Sequence, residues 1–182
     1  MTNTLKIATD LYSKPPLNAL GGSRLSYRKV SLATADLITT QIYAMNVLPA
    51  GHRLVDAFVE TNQLETASSA FAFTIGILNT YYGDPAATTA VPAAYSSGGA
   101  TNVATSPILV TGQNLITAAT IGQTGGRIRL GISATSYLLT SSIDVGVDKN
   151  KDRIVAMQVT SLATTPTAGS FAIGLLLDRD QE

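Results

Sequence analysis

The chain has 182 residues, twelve basic and twelve acidic side chains, a net formal charge of zero, and neither cysteine nor tryptophan. Zero net charge with scattered basic residues gives no electrostatic footprint for nucleic acid. The lack of cysteine excludes disulfides, thiolate metal sites and a cysteine nucleophile.

Charged residues make up 13% of the chain, about half the share of an average soluble domain. Ala, Thr, Ser and Gly fill the difference. A surface so poor in charge and rich in hydroxyls suits a molecule that packs against copies of itself or against a large partner. The length allows one domain, or one domain plus an extension, with a sizeable core. The start, MTNTLKIATD, reads as lacking the basic and apolar regions of a signal peptide. The longest apolar runs, 71–78 and 171–177, fall far short of the about 20 residues that span a bilayer. The expectation is a soluble chain made in a cytoplasm, with no membrane partner.

Residues 1–26 differ from the rest and are read as an extended N-terminal arm, with a β-sandwich domain over 27–182. Pro15-Pro16 favours extended backbone, and Gly21-Gly22 follows. Leu5, Ile7, Leu11, Tyr12, Leu17 and Leu20 dot the arm without a clean period. Two readings stay open: a disordered tail, or an arm ordered on a neighbouring subunit.

From Tyr27 the pattern is that of strands. Tyr27, Lys29 and Ser31 alternate with Arg28, Val30 and Leu32, as a half-buried strand requires. Ala33–Leu37 is a turn, with Thr34 and Asp36 as backbone-capping residues. Thr40–Val47 is a second strand, Pro49-Ala50-Gly51 a tight turn, and Arg53–Thr61 a third strand. A helix-like stretch is predicted over Asn62–Ser69. In 71–78, Phe71, Phe73, Ile75 and Ile77 face one way and mark a core strand. The small residues Ala72, Thr74 and Gly76 on the other face leave room for close approach.

Residues 83–106, with Pro85, Pro92, Gly98 and Gly99, form a long loop of the kind that is functional or mobile in a compact domain. Leu115, Ala118 and Ala119 at i, i+3, i+4 predict a short helix over Thr111–Thr120. Gly125-Gly126 is a turn, and Arg127–Ser133 alternates as a strand. Asp144–Asp152 is a polar connection. Arg153–Ser161 and Ser170–Leu177 are closing strands around a turn at 164–169. About eight strands, helices short or absent, and turns at this spacing predict an all-β fold. The expected architecture is a two-sheet antiparallel β-sandwich of jelly-roll type.

Candidate chemistry is sparse. His52, the one histidine, sits in a turn and is read as structural. Asp148, Asn150 and Asp152 have the spacing of the first calcium-loop ligands. The pattern then fails: Arg153 stands where the loop glycine belongs and Val159 where the closing glutamate belongs. Glu60 and Glu65 are the carboxylates weighed for glycoside hydrolysis, and spacing does not bring them together. Tyr81, Tyr82 and Tyr95 are candidates for stacking on sugar rings. No phosphate loop is present. The expectation is no enzyme, no catalytic residue, no metal site and no cofactor.

Several blocks nevertheless match a known pattern. LPAGHRLVDAFVETNQLE (48–65), FAFTIGILN (71–79), TIGQTGGRIR (120–129) and DRIVAMQVTSLATTPTAGSFAIGLLL (152–177) together resemble the small head proteins of tailed bacteriophages that act as decoration or cement proteins. The resemblance covers roughly 27–178. It implies a jelly-roll sandwich on the outside of the virion capsid, bridging neighbouring major capsid protein subunits as a homo-oligomer, a trimer by preference or a dimer. It implies no catalytic residue. For partner contacts the arm offers Leu11, Tyr12, Pro15, Pro16 and Leu17, and the 83–106 loop a second segment; the resemblance does not reach the arm. The alternative is a carbohydrate-binding β-sandwich, such as a module of a phage fibre, against which the absence of tryptophan counts.

Overall fold

A computed structural model describes residues 4–7, 24–39, 41–67, 70–81, 109–129 and 152–179. Nine strands account for most of them: β1 (Thr4–Ile7), β2 (Arg24–Leu32), β3 (Gln41–Leu48), β4 (His52–Thr61), β5 (Ala72–Tyr81), β6 (Leu109–Ala119), β7 (Gly126–Arg129), β8 (Arg153–Ser161) and β9 (Gly169–Arg179). They form a five-stranded sheet ordered β1-β3-β8-β5-β6 and a four-stranded sheet ordered β2-β9-β4-β7.

The order has a simple origin. β2 pairs with β9, β3 with β8, β4 with β7 and β5 with β6, all antiparallel. These four pairs are the rungs of one long hairpin whose tip lies between β5 and β6. Rolling that hairpin brings β9 beside β4 and β8 beside β5, again antiparallel. Eight strands rolled this way are a jelly roll, and the expected fold class holds. β1 stands outside the hairpin and pairs with β3 in parallel.

The inner faces of both sheets meet in one core. Tyr43 and Met45 of β3, Phe73, Ile75 and Ile77 of β5, Val155, Met157 and Val159 of β8, and Phe171, Ile173 and Leu175 of β9 are all buried in it. Phe73 and Phe171 meet edge to face with ring centroids 5.0 Å apart, the preferred aromatic geometry. Burial pushes the Tyr43 hydroxyl well above its ordinary pKa, because the phenolate would have to leave water. The hydroxyl donates to the Asp36 carbonyl at 3.1 Å.

Strands expected from alternation form close to the expected places, with ends moved by three residues at most, and of the strand expected over Arg127–Ser133 residues 130–133 lie outside the described residues. β2 begins at Arg24, inside the stretch assigned to the arm. The turn at Thr34–Asp36 is one 3₁₀ turn, with the Asp36 carboxylate accepting the Ala33 N–H at 3.0 Å. Gly51 closes the β3–β4 turn at φ 64°, a backbone state that glycine adopts without steric cost.

Two expected helical stretches are not helices. Residues 109–119 form β6, whose pairing with β5 shifts register three times. The chain kinks at Ala118, where φ is 50°, and the Ala118 N–H is taken up by Thr74 Oγ1 at 3.2 Å. Leu115 and Ala119 face the core while Thr117 and Ala118 are exposed. An irregular strand thus copies the i, i+3, i+4 spacing, and Val110, Thr111, Ile116 and Thr117 add the β-branched content that favours extension.

Residues 62–67 do not coil either. They are laced to the β8–β9 turn: Thr66 N–H donates to Thr165 O at 3.1 Å, and Thr167 N–H to Leu64 O at 2.9 Å. The Glu65 carboxylate, 0% exposed, gathers the N–H groups of Ala70, Phe71 and Thr164 at 3.2, 2.8 and 2.7 Å. One acid thereby satisfies three backbone donors, that of Phe71 buried, a stronger bond set than neutral acceptors would give.

The outer face of β5 is excluded from solvent. Ala72, Thr74 and Leu78 are buried there, as are Ile42 and Ala44 of β3 and Ile154 and Ala156 of β8. β3 is solvent-excluded on both faces over its whole length. Asn46 sits at a bulge in β3 and joins the two sheets. It accepts from Ser26 Oγ at 2.9 Å and donates to Ser26 O at 3.1 Å.

Candidate interaction surface

The strand ends divide the sandwich into two unlike ends. At one, the connections 33–40, 62–71, 120–125 and 162–168 join adjacent strands, and Leu64 N–H donates to Gly122 O at 2.7 Å to tie two of them. At the other end β1 and β5 finish, β6 begins, and β7 runs out towards β8. The segments 8–23, 82–108 and 130–151 are therefore all attached at this second end. Both segments that sequence reasoning nominated for partner contacts belong to it.

Leu11, Tyr12, Pro15, Pro16 and Leu17 lie outside the described residues, as do 83–106, Tyr82 and Tyr95. Domain division at residue 26 is an expectation that the described residues do not test.

His52 opens β4 at the same end. Its Nδ1 lies 2.9 Å from the Ala50 carbonyl. Its own carbonyl accepts from Arg153 at 2.7 Å, and the Ala50 N–H donates to the Asp152 carboxylate at 2.9 Å. These bonds close a turn. Asp148 and Asn150 fall outside the described residues, and no group of three or more metal-ligating side chains occurs among the described ones. Glu60 and Glu65 do not converge: Glu60 lies on an exposed sheet face, while Glu65 is enclosed by backbone donors. No helix of the described residues is long and apolar enough to cross a membrane.

The outer face of the four-stranded sheet is open to solvent and carries a cluster that sequence reasoning did not assemble. Register places Tyr27, Gly174, Phe58 and Arg129 in one row across β2, β9, β4 and β7, and Lys29, Ala172, Glu60 and Arg127 in the next. Tyr27 stacks on Phe58 across the glycine at 6.1 Å. The Arg127 guanidinium lies 4.8 Å from the Phe58 centroid, within cation–π range.

Arg127 also donates to Glu60 at 2.8 Å, and Arg129 Nε donates to both Asp56 oxygens at 2.8 and 2.9 Å. Hydrogen bonding to Glu60, reinforced by its charge, raises the Arg127 pKa, and Asp56 does the same for Arg129. Both arginines are mostly exposed, so these pairs order the face more than they stabilise the fold. Leu25 is 58% exposed and Tyr27 41%.

The signal for this face was half legible. Alternation put Tyr27 with Lys29 and Arg127 with Arg129, but nothing in the sequence says that β2, β9, β4 and β7 lie side by side. Beside the cluster, a shallow groove of about 70 Å³ is bordered by Tyr27, Lys29, Glu60, Asn62, Ser170 and Ala172. Small-molecule pockets start near roughly 300 Å³, so this groove is too small to enclose such a ligand. An ordered aromatic and guanidinium surface is the kind of composition found at protein contacts.

No protein-family model matches the chain, and no curated protein does. Solved structures do. A chain from the capsid of Ralstonia phage GP4 aligns with a TM-score of 0.65 at 19% identity, over 98% of this chain and 99% of that one. A chain from the capsid asymmetric unit of cyanophage Pam1 aligns with a TM-score of 0.53 at 15% identity, over 92% and 91%. The jelly roll is shared with chains of two phage capsids. The alignments run nearly end to end on both sides, so the likeness is to whole chains and not to a shared fragment.

Proposed function

We propose that the chain is a structural protein of a phage virion, and specifically a decoration or cement protein on the outside of the head. The observation that carries this reading is the end-to-end fold likeness to chains of two capsid structures. Three features support it. The surface is poor in charge and the net charge is zero. The strands that flank 8–23, 82–108 and 130–151 end or begin at one end of the sandwich. The outer sheet face presents an ordered Tyr27–Phe58–Arg127 cluster.

The mechanism is mechanical. A copy seated across the seam between neighbouring major capsid subunits adds buried area to both. Apolar burial contributes about 25 cal/mol per Å², and many symmetric copies multiply the effect through avidity. The end bearing the arm, with Leu11, Tyr12, Pro15, Pro16 and Leu17, and the 83–106 loop is the docking end. A heat challenge of heads lacking the protein tests the role. Added protein is expected to delay DNA release; an unchanged release curve at saturating protein contradicts it.

A carbohydrate-binding role has one observation in its favour, the exposed and stacked Tyr27. A glycan array reads it directly: binding that Tyr27→Ala abolishes would replace the cement reading.

A further inference from the structure

We infer that the outer face of the five-stranded sheet is a docking face for the chain's own segment 130–151, which adds a third layer to the sandwich. The inference rests on burial, register and composition and stands apart from the phage-head reading.

The face is apolar and dry. Ile42, Ala44, Val47, Leu78, Ile154 and Ala156 are each no more than 1% exposed, yet none belongs to the core cluster between the sheets. Register sets Ala44, Ala156 and Gly76 in one row across β3, β8 and β5, and Val47 and Ile154 in the next. The enclosure extends onto β6, where Asn114 Oδ1, level with Gly76, is shut off from water. β3 and β8 carry apolar side chains on both faces, the pattern of strands that lie between two layers. Every described strand belongs to one of the two sheets, and the described connections close the compact end. None of them lies over this face, so its cover comes from the rest of the chain.

Composition selects the segment. Residues 130–151 hold seven aliphatic side chains larger than alanine in twenty-two residues, against three in twenty-seven for 82–108 and three in sixteen for 8–23. Left in water, seven such side chains would make an exposed apolar patch of the kind soluble chains avoid. The space between the sheets is already filled by the strands' own side chains. The outer face of the five-stranded sheet is the apolar surface without a described cover.

Attachment agrees. The Ser26–Asn46 bonds set β2 beside β3, so β7, at the far edge of its sheet, lies on the β6 side. From there the chain must reach β8, the middle strand of the five-stranded sheet, and its way leads past β6 and β5. Twenty-two residues reach roughly 70 Å, several times the roughly 15 Å width of β3, β8 and β5. The segment is long enough to cross the face and return. Tied at both ends to the body it covers, it docks at high effective concentration. That leaves the four-stranded sheet, with Tyr27 and Phe58, as the sheet face open to a partner.

Leu78 carries the test, because it lies on the face close to the start of the competing segment 82–108. It is exchanged for a diazirine analogue of leucine in a mixture of isotopically heavy and light full-length chains. The mixture is illuminated, digested and mapped by mass spectrometry. The expected product joins position 78 to a peptide from 130–151 of the same chain. Attachment to 86–106, to 8–23 or to a second copy would overturn the inference, and so would linkage within the sheet alone or quenching by water. A thiol gives a second reading, since the chain has no cysteine. Ala156→Cys should resist a maleimide, and Leu138→Ser, Leu139→Ser and Ile143→Ser together should speed its labelling about tenfold. Val155→Cys, which faces the core, should stay protected in that background. Equal labelling of Ala156→Cys with and without the serines would contradict the inference. The cross-link is read in an otherwise unchanged chain, so it decides whatever the serines do to stability. Head binding is not read, so the outcome is independent of the cement reading.

Discussion

Gly174 of β9 lies beneath the ring of Phe58 on β4, its register partner. A Cβ at that position would sit 2.3 Å from Phe58 Cε1 and Cζ, well inside van der Waals contact. The missing side chain lets Phe58 lie flat and meet Tyr27 from the far side of β9. A glycine in a central strand ordinarily weakens it; here it creates the floor of the exposed cluster.

Gly174→Ala is expected to push the Phe58 ring outward, lower stability by about 1–2 kcal/mol, and break the Tyr27 stack. Phe58 is only half-buried, so part of the strain is relieved into solvent. The double variant Gly174→Ala/Phe58→Leu should recover most of the loss. Urea denaturation of the four chains in the cycle measures it.

Gly122→Ala should cost more. Its Cβ would meet Phe71 at 2.5 Å, and Phe71 is fully buried with no room to swing. A loss of about 3 kcal/mol is expected, and the same denaturation series ranks the two sites. An equal or smaller loss at Gly122 would contradict the packing account.

Glu65→Ala removes the acceptor for three backbone N–H groups at the compact end. Leaving the buried Phe71 N–H unmet and losing two partly exposed bonds is expected to cost about 2–4 kcal/mol. Glu65→Gln keeps one carbonyl oxygen and should cost less. Hydrogen exchange at Phe71 and Thr164 should accelerate in both variants, more in the alanine.

Tyr43 gives a pH signature. Its folded pKa is raised by burial above the ordinary tyrosine value of about 10. The unfolded chain therefore releases this proton first as pH rises, and the stability tied to the neutral hydroxyl is complete below about pH 10 and lost above it. Tyr43→Phe should lose about 1 kcal/mol at neutral pH, from the bond to Asp36. The gap to the wild type should then narrow above pH 10. Denaturation midpoints of both chains across pH 8–11 read the difference, and parallel curves would contradict the buried-phenol assignment.

The strands were legible where alternation was clean, as at Tyr27–Leu32 and Phe71–Leu78, because a half-buried sheet face imposes a period of two. β6 was not, because its kink at Ala118 breaks that period and imitates a helix. Glu65 read as a possible catalytic acid, since a sequence shows the charge and not the three N–H groups around it. The Tyr27–Gly174–Phe58–Arg129 row joins four strands far apart in the chain, and only the rolled topology brings them together. The arm residues Leu11, Tyr12, Pro15, Pro16 and Leu17 rest on composition alone.

Co-sedimentation of the purified chain with phage heads that lack it tests the central claim most directly. Saturable pelleting at a fixed ratio to the major capsid protein, weakened by the combined substitutions Leu11→Ser, Tyr12→Ser and Leu17→Ser, is the expected result. A chain that stays in the supernatant at every concentration, with heads intact, would contradict the account.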